Sequence, residues 1–243
     1  MDAFSLHNKT ILITGASGGI GSAHVQRLLA LGANVIGLVR EANKIQAIDG
    51  VDYIEVDYTQ NSSVETMCNS IGQLDGIVHC AGVVQPFPIK FLSEDKLKET
   101  MFINFEVPVM LSRLLLKKKK FNEGASHVFI SSISADHPHK GGAAYASSKA
   151  ALQAFSKVVA LETSHLKMRA NCISPAMIKT AMYDIAEKGM SKENMDEHIS
   201  HYPLGMGLPE DVANTSAFLL SNASRWITGI NITLDGGFLL EGK

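Results

Sequence analysis

Thr14-Gly15-Ala16-Ser17-Gly18-Gly19-Ile20-Gly21 is the stretch that decides the fold. It follows Lys9 to Thr14 (K-T-I-L-I-T), a short β-branched run that predicts a strand buried on both faces. It leads into a helical pattern, Ser22 to Leu31, closed by Gly32, and then into a second apolar run, Asn34 to Val39. Together these make a β-α-β unit. Glycines at this spacing let backbone approach a pyrophosphate at a helix N-terminus, where free N–H groups and the dipole favour an anion. Gly15, Ser17, Gly18, Gly19, Ile20 and Gly21 are therefore candidate dinucleotide contacts. A glycine turn can also serve purely local geometry. No lysine follows the glycines, so a P-loop is excluded.

The second strand ends in Leu38-Val39-Arg40, where a fold selective for NAD usually offers an acid to the ribose 2′-hydroxyl. Arg40, helped by Ser17, instead suits a 2′-phosphate, which favours NADP(H) over NAD(H); the plainer alternative is a solvated strand-end charge. A third strand is expected at Tyr53 to Val56, with Asp57-Tyr58 at its carboxyl end. Asp57 could accept from an adenine amino group or serve as a turn residue, and Asn61-Ser62-Ser63 would cap a helix from Val64 to Ile71. A fourth strand, Leu74 to His79, runs into Cys80-Ala81-Gly82, small residues suited to a close backbone approach or an ordinary turn.

A long helical stretch follows from Ser93 to Leu116, with Asn104 inside it and Pro108 implying a bend or break. A buried amide needs partners, so Asn104 is either a structural bracket or part of a polar site. Ser126 to Ser131 reads as the fifth strand, and Ser131-Ser132-Ile133-Ser134 lies at its end. One long helix, Ala143 to Glu162, then carries Tyr145 and Lys149, four residues apart and so on one face. A cation beside a phenol favours the phenolate over its usual pKa near ~10. Met168 to Ser174 is a sixth strand ending at Pro175. The polar segment from 177 to 203 behaves like a mobile substrate cover. A helix from Pro209 to Leu220 and a strand from Ile227 to Leu234 close the chain. Strands alternating with helices predict one α/β domain over 1–243, a doubly wound parallel sheet of about seven strands with helices on both faces.

Composition narrows the function class. The charge balance is 22 − 24 = −2, so no global field recruits nucleic acid or an anionic membrane. Lys117 to Lys120 reads as the solvated end of a helix. Cys68, Cys80 and Cys172 are widely spaced in apolar surroundings, which suits reduced core thiols and no metal site. No apolar run approaches the ~20 residues of a membrane span, and the first residues are too short and polar for a signal peptide. The expectation is a soluble, cytoplasmic protein.

With Thr14-Gly15-x-x-x-Gly19-x-Gly21, Asn104, Ser132 and Tyr145-x-x-x-Lys149 in order, the chain resembles the short-chain dehydrogenase/reductase family along nearly its whole length. The resemblance extends to Asp57, Cys80-Ala81-Gly82, Asn171 to Pro175, Thr180 and Asp235-Gly236-Gly237, and it implies a Rossmann-type sheet. It is nearest in appearance to the subgroup containing 3-oxoacyl-carrier-protein reductases, judged by Pro203-Leu204-Gly205 and Pro209-Glu210-Asp211-Val212-Ala213. It implies that Tyr145 is the general acid, that Lys149 lowers its pKa and binds the nicotinamide ribose, and that Ser132 holds the carbonyl oxygen. Asn104, through its backbone and a water, would link Lys149 to solvent. Asp57, Tyr58, Cys80, Ala81, Gly82, Pro175, Ala176, Ile178 and Thr180 would complete the cofactor contacts.

Two departures stand out. His79-Cys80-Ala81-Gly82 replaces the family's Asn-Asn-Ala-Gly, removing an asparagine that braces the central strands, and Pro175-Ala176 replaces Pro-Gly. The expected activity is NADP(H)-dependent reduction of a ketone or aldehyde to an alcohol. The alternatives are an NAD-dependent alcohol, sugar or steroid dehydrogenase, or a non-catalytic nucleotide sensor. Val83, Val84, Ser134, Met177, Met182 and Tyr183 are the expected substrate wall, mainly apolar, while His137 and His139 read as loop histidines. By resemblance the protein is a homo-oligomer, a dimer or tetramer, joined through its long helices and last strand.

Overall fold

Ile11 and Ile13 point to one side of the first strand and Leu12 to the other, and all three are fully buried. A strand with both faces covered belongs in the middle of a sheet. The computed structural model, which describes residues 2–180, 183 and 197–241, has it there. Among the described residues seven strands pair in parallel: β1 (Thr10–Thr14), β2 (Asn34–Val39), β3 (Val51–Glu55), β4 (Leu74–His79), β5 (Phe121–Ile130), β6 (Arg169–Pro175) and β7 (Asn231–Leu234). Their order is β3-β2-β1-β4-β5-β6-β7. On the Ile11 face lie α1 (Gly19–Ala30) and the helix Pro209–Leu220, joined by Val25, Leu28, Val212 and Leu219 in one apolar cluster. On the Leu12 face lie α2 (Asn61–Ser70), α4 (Val107–Lys117) and α5 (Ala143–Glu162), the first two through Met67, Cys68, Leu111 and Leu115. Beneath α5, Leu152 and Val159 meet Phe129 and Cys172.

Strand order reverses between β1 and β4, and in open parallel sheets ligands gather at the carboxyl ends beside such a reversal. One side chain ties the two strands there. Thr14 Oγ1 accepts from the N–H groups of both Cys80 and Ala81, each at 3.0 Å. The backbones come so close that a Cβ on Gly15, whose φ is +66°, would lie 2.8 Å from Ala81 Cα.

The predicted helix from Ser93 to Leu116 is divided. It comprises α3 (Glu94–Met101), a π-helical turn (Phe102–Glu106) and α4, and Asn104 is fully buried inside the turn. Pro108, at the start of α4, has no N–H to give the preceding turn, which is consistent with the wider spacing there. Asn61-Ser62-Ser63 does not cap α2 as expected: the helix starts at Asn61, and Ser63 Oγ accepts from Asp57 N at 3.1 Å. β5 begins five residues early because Phe121 pairs with Leu74. β7 begins late, after a turn at Gly229 with φ +74°. The helices Ala143–Glu162 and Pro209–Leu220 have the expected bounds.

The lysine run does more than face solvent, since Lys118 Nζ donates to Asn69 Oδ1 at 2.9 Å and Lys120 Nζ to Ile71 O at 2.6 Å, tying down the end of α2. All three cysteines are free thiols. At the position of the missing asparagine, His79 braces β4 differently. Its ring stacks on Phe129 with centroids 4.5 Å apart, and Nε2 lies 3.2 Å from Ser112 Oγ. His127 sits 6.1 Å away between Phe121 and Phe129, fully buried, and neither of its ring nitrogens has a hydrogen-bond partner. Burial holds His79 well below the ordinary imidazole value and lowers His127 to about 3. No helix among the described residues is long and apolar enough to cross a membrane.

Candidate active site

The glycine turn sits where β1 ends and α1 begins, with Gly18 at the helix N-cap and no side chain capping the first N–H groups. A Cβ on Gly21 would collide with Gly15 O, and one on Gly19 would lie 2.9 Å from Thr180 Cγ2. Thr180 therefore closes over the turn from the far side of the crevice, brought there by the segment after Pro175, the buried last residue of β6, in which Ile178 is buried as well. Ala176 N donates to Leu234 O at 2.8 Å, and Ile178 bridges to Gly207. Ser17 and Gly18 are exposed beside the turn, and Ile20 is half-buried. Arg40, just past β2, has a side chain 90% exposed, with Nε 4.0 Å from Glu41. This cradle of bare backbone, uncapped helix and cation fits a dinucleotide.

At the end of β3 the structure separates two candidates. The Asp57 carboxylate already accepts from Thr59 N at 2.9 Å, Thr59 Oγ1 at 2.6 Å and Gln60 Nε2 at 2.9 Å. The Thr59 bonds hold its pKa below the usual range. Tyr58 packs its ring against the Leu111 and Met67 cluster, and its buried hydroxyl has no partner.

Four sequence-predicted residues converge at the ends of β4 and β5. Asn104 clamps the backbone after β4, with Oδ1 accepting from Val83 N at 2.8 Å and Nδ2 donating to Val83 O at 3.0 Å. Nδ2 also donates to Ser148 Oγ at 3.1 Å, and that hydroxyl donates to Tyr145 O at 2.7 Å. A Cβ on Gly82 would stand 3.3 Å from Asn104 Oδ1 and 3.4 Å from Lys149 Nζ, so glycine keeps backbone tight against both. Lys149 is buried, and Nζ donates to Ile130 O at 2.8 Å. Burial pushes its pKa down to about 8, opposed by the thiols of Cys80 and Cys172.

The Ser132 side chain lies beside the Tyr145 hydroxyl. Burial pushes the phenol pKa up, and the neighbouring Ser132 hydroxyl works against it. The spacing argument expected the ammonium to dominate. Instead Nζ is directed at Ile130 O and lies 5.7 Å from the Tyr145 ring centroid, so the cost of burying a phenolate outweighs it. Ser132 Oγ in turn accepts from Ser134 N at 3.1 Å. A phenol and a hydroxyl converging on one point, with a cation beside them, can hold a carbonyl oxygen and move a proton to it.

Of the expected substrate wall, Ser134 is buried and Val83, Val84, Met177 and Tyr183 are half-buried. Met182 lies outside the described residues, as do 184–196 of the expected cover. Met177 N donates to Tyr202 Oη at 3.4 Å, anchoring the start of that segment. The wall is less apolar than expected, because His139 Nδ1 lies 3.4 Å from Ser134 Oγ, although the rest of His137 and His139 is exposed. Sequence reasoning gave no role to the side chains of Thr14 and Ser148. A small hydroxyl at the end of a buried strand, or inside a helix and four residues from an alanine face, was the available signal for each.

A family model described as Enoyl-(Acyl carrier protein) reductase matches residues 15–239. The 3-oxoacyl-[acyl-carrier-protein] reductase of Rickettsia felis is 32% identical over 241 residues, 97% of this chain and 98% of the relative. The chain belongs to the short-chain dehydrogenase/reductase family. Among solved members, a short-chain type dehydrogenase/reductase from Mycobacterium ulcerans superposes with a TM-score of 0.86 at 30% identity, covering 97% of this chain and 91% of that one. The ligand-free aldohexose dehydrogenase of Thermoplasma acidophilum gives a TM-score of 0.87 at 29% identity, covering 97% and 95%. This short-chain dehydrogenase/reductase is thus an oxidoreductase acting on CH–OH and C=O groups, built on the Rossmann-type sheet described above.

Proposed function

We propose that this short-chain dehydrogenase/reductase reduces a ketone or aldehyde to an alcohol with NADPH, and that Tyr145 delivers the proton. The observation that carries this reading is the meeting of Tyr145 and Ser132 beside the buried Lys149. When bound, the nicotinamide supplies the hydride. Gly15, Gly19 and Gly21 give the pyrophosphate bare backbone, and Thr180 and Ile178 close the crevice over the nicotinamide end. Ser132 holds the carbonyl oxygen through its hydroxyl, and Tyr145 protonates that oxygen as charge develops on it. Lys149, still largely cationic at neutral pH with a pKa of about 8, favours loss of the phenolic proton. Asn104 positions the site by fixing Val83 and, through Ser148, the first turn of α5.

Arg40 supports the choice of NADPH, because its guanidinium is exposed at the end of the second strand, where it can clamp a 2′-phosphate. One observation favours a second reading, an NAD-dependent dehydrogenase: Glu41 lies beside Arg40 at 4.0 Å, an acid near the strand end where a 2′-hydroxyl would be read. The test is the affinity for NADPH and NADH in wild type and Arg40→Ala. The NADPH reading expects a wild-type preference that falls about tenfold or more in the variant, and equal wild-type affinities would sink it. The relatives' names span a 3-oxoacyl-[acyl-carrier-protein] and an aldohexose. Here the half-buried Val83 and Val84 favour an uncharged or partly apolar carbonyl compound. Exposed Val158 and Leu161 on α5 and Met110 on α4 support a homo-oligomer joined through these helices.

A further inference from the structure

Two sequence motifs lie outside the proton-transfer site, Pro203-Leu204-Gly205 and Asp235-Gly236-Gly237, and they pack on each other. Leu204 N donates to Gly236 O at 3.0 Å, and a Cβ on Gly236 would lie 3.0 Å from Gly205 O. The Asp235 carboxylate accepts from Gly237 N at 3.1 Å and from Leu239 N at 2.9 Å, which winds the chain into the short 3₁₀ turn Phe238–Glu241. That turn lays the Phe238 ring on the ring of buried Tyr202, with centroids 4.7 Å apart and an interplanar angle of 28°. The Tyr202 hydroxyl accepts from Met177 N at 3.4 Å and lies 3.3 Å from His198 Nε2. With Met177 N–H donating to it, the hydroxyl gives its own proton to Nε2, which a neutral imidazole can accept.

Met177 belongs to the segment that runs from Pro175, at the end of β6, to Thr180, which closes over the glycine turn. Its N–H groups are held from three directions: Ala176 N by Leu234 O at 2.8 Å, Lys179 N by Gly207 O at 2.9 Å, and Met177 N by Tyr202. Two of these acceptors are backbone carbonyls, which any residue supplies. The third needs a tyrosine at one position, aimed by an aromatic ring at another. We propose that Tyr202 is a positioning residue for dinucleotide binding: its hydroxyl, aimed by Phe238, holds Met177 so that the chain from Ala176 to Thr180 is set against the crevice before the cofactor arrives. The inference rests on the reading of the crevice as a dinucleotide site. A segment ordered in advance costs less to order on binding, so the effect falls on cofactor affinity. Lys149 and Ser132 are held by Ile130 O and Ser134 N, so the proton-transfer step does not depend on Tyr202.

Tyr202→Phe keeps the ring stack and removes the acceptor, and the full chain carrying it is compared with wild type. Amide hydrogen exchange without cofactor, read on peptides spanning 175–180, is expected to quicken about three- to tenfold, while peptides from β1 and α5 stay unchanged. The NADPH dissociation constant rises about three- to tenfold as well. With whichever carbonyl the enzyme turns over, KM for NADPH follows it and kcat stays within about twofold. Phe238→Leu leaves the hydroxyl without its stacking partner, so it weakens NADPH binding in the wild-type background and adds nothing to Tyr202→Phe. Thermal melting of each variant separates a local change from lost folding. The proposal is overturned if exchange at 175–180 or NADPH affinity in Tyr202→Phe matches wild type, if kcat falls while affinity holds, or if the two substitutions act additively. Failure of the dinucleotide reading looks different: wild type then binds neither NADPH nor NADH, which overturns both, whereas unchanged exchange alongside NADPH binding overturns the role of Tyr202 alone.

Discussion

Lys149 on α5 and His79 on β4 are both buried, and burial drives both pKa values down. Their surroundings diverge from there. Around Lys149 the polar atoms are engaged: the ammonium with Ile130 O, Ser132 with Ser134, and Asn104 with Val83 and Ser148. Around His79 one nitrogen meets Ser112, while its Nδ1 and both nitrogens of His127 face aromatic rings and have no partner. Burial by itself thus perturbs ionisation in both places. What distinguishes the first is a set of directed hydrogen bonds leading to a hydroxyl pair at the crevice, whereas the second is closed by Phe121 and Phe129.

The largest expected effect breaks the first region chemically. Tyr145→Phe should lower turnover of any carbonyl substrate about 10²- to 10⁴-fold with little change in melting temperature. If the variant turns over normally, the proton has another source. Ser132→Ala should lower turnover on the order of 10²-fold, seen in kcat more than in KM. Asn104→Ala leaves the Val83 N–H and C=O without their partners, so a loss of about 2–4 kcal/mol is expected in urea unfolding. A loss below 1 kcal/mol would show that water replaces the amide.

The opposite sign is expected in the second region. His127 titrates near 6.5 when unfolded and about 3 when folded, so between these values the unfolded chain binds more protons. Stability is then full above pH 6.5 and falls as the pH drops toward 3. His24, lowered by burial to about 4, and His79 act in the same direction. His127→Phe should leave stability at pH 8 little changed yet exceed wild type at pH 5 by about 2 kcal/mol, since each pH unit in this window is worth about 1.4 kcal/mol per histidine. Denaturant midpoints at the two pH values decide it. Equal losses in both proteins would mean that the ring nitrogens are solvated after all.

The two regions were unequally legible in the sequence. The glycine turn announces itself because close backbone contact excludes a side chain, and the bounds of α5 and of Pro209–Leu220 are marked by Gly142 and Pro209. Tyr145 and Lys149 were readable as a pair, but not the direction of the ammonium, which depends on a carbonyl supplied by β5. The π-helical turn was hidden because a shift from one hydrogen-bond spacing to another leaves no mark in composition; only Asn104 in an apolar face and Pro108 after it hinted at a disturbance. The histidine stack was invisible for a related reason, since His79 and Phe129 become neighbours only through strand register. Residues that act through distant partners are the ones that local patterns miss.

The π-helical turn also has a bearing on how such a chain tolerates insertions and deletions. A π turn amounts to an α-helix carrying one surplus residue. Deleting a residue between Phe102 and Glu106 would let α3 and α4 merge into a straight rod, and at 3.6 residues per turn everything on one side of the cut would rotate by about 100° relative to the other. Asn104 could then no longer face Val83 while Leu111 and Leu115 still faced the sheet. The surplus residue acts as a phase adjuster between two helical surfaces, so a single-codon deletion here is expected to be far more damaging than any single substitution in the same turn.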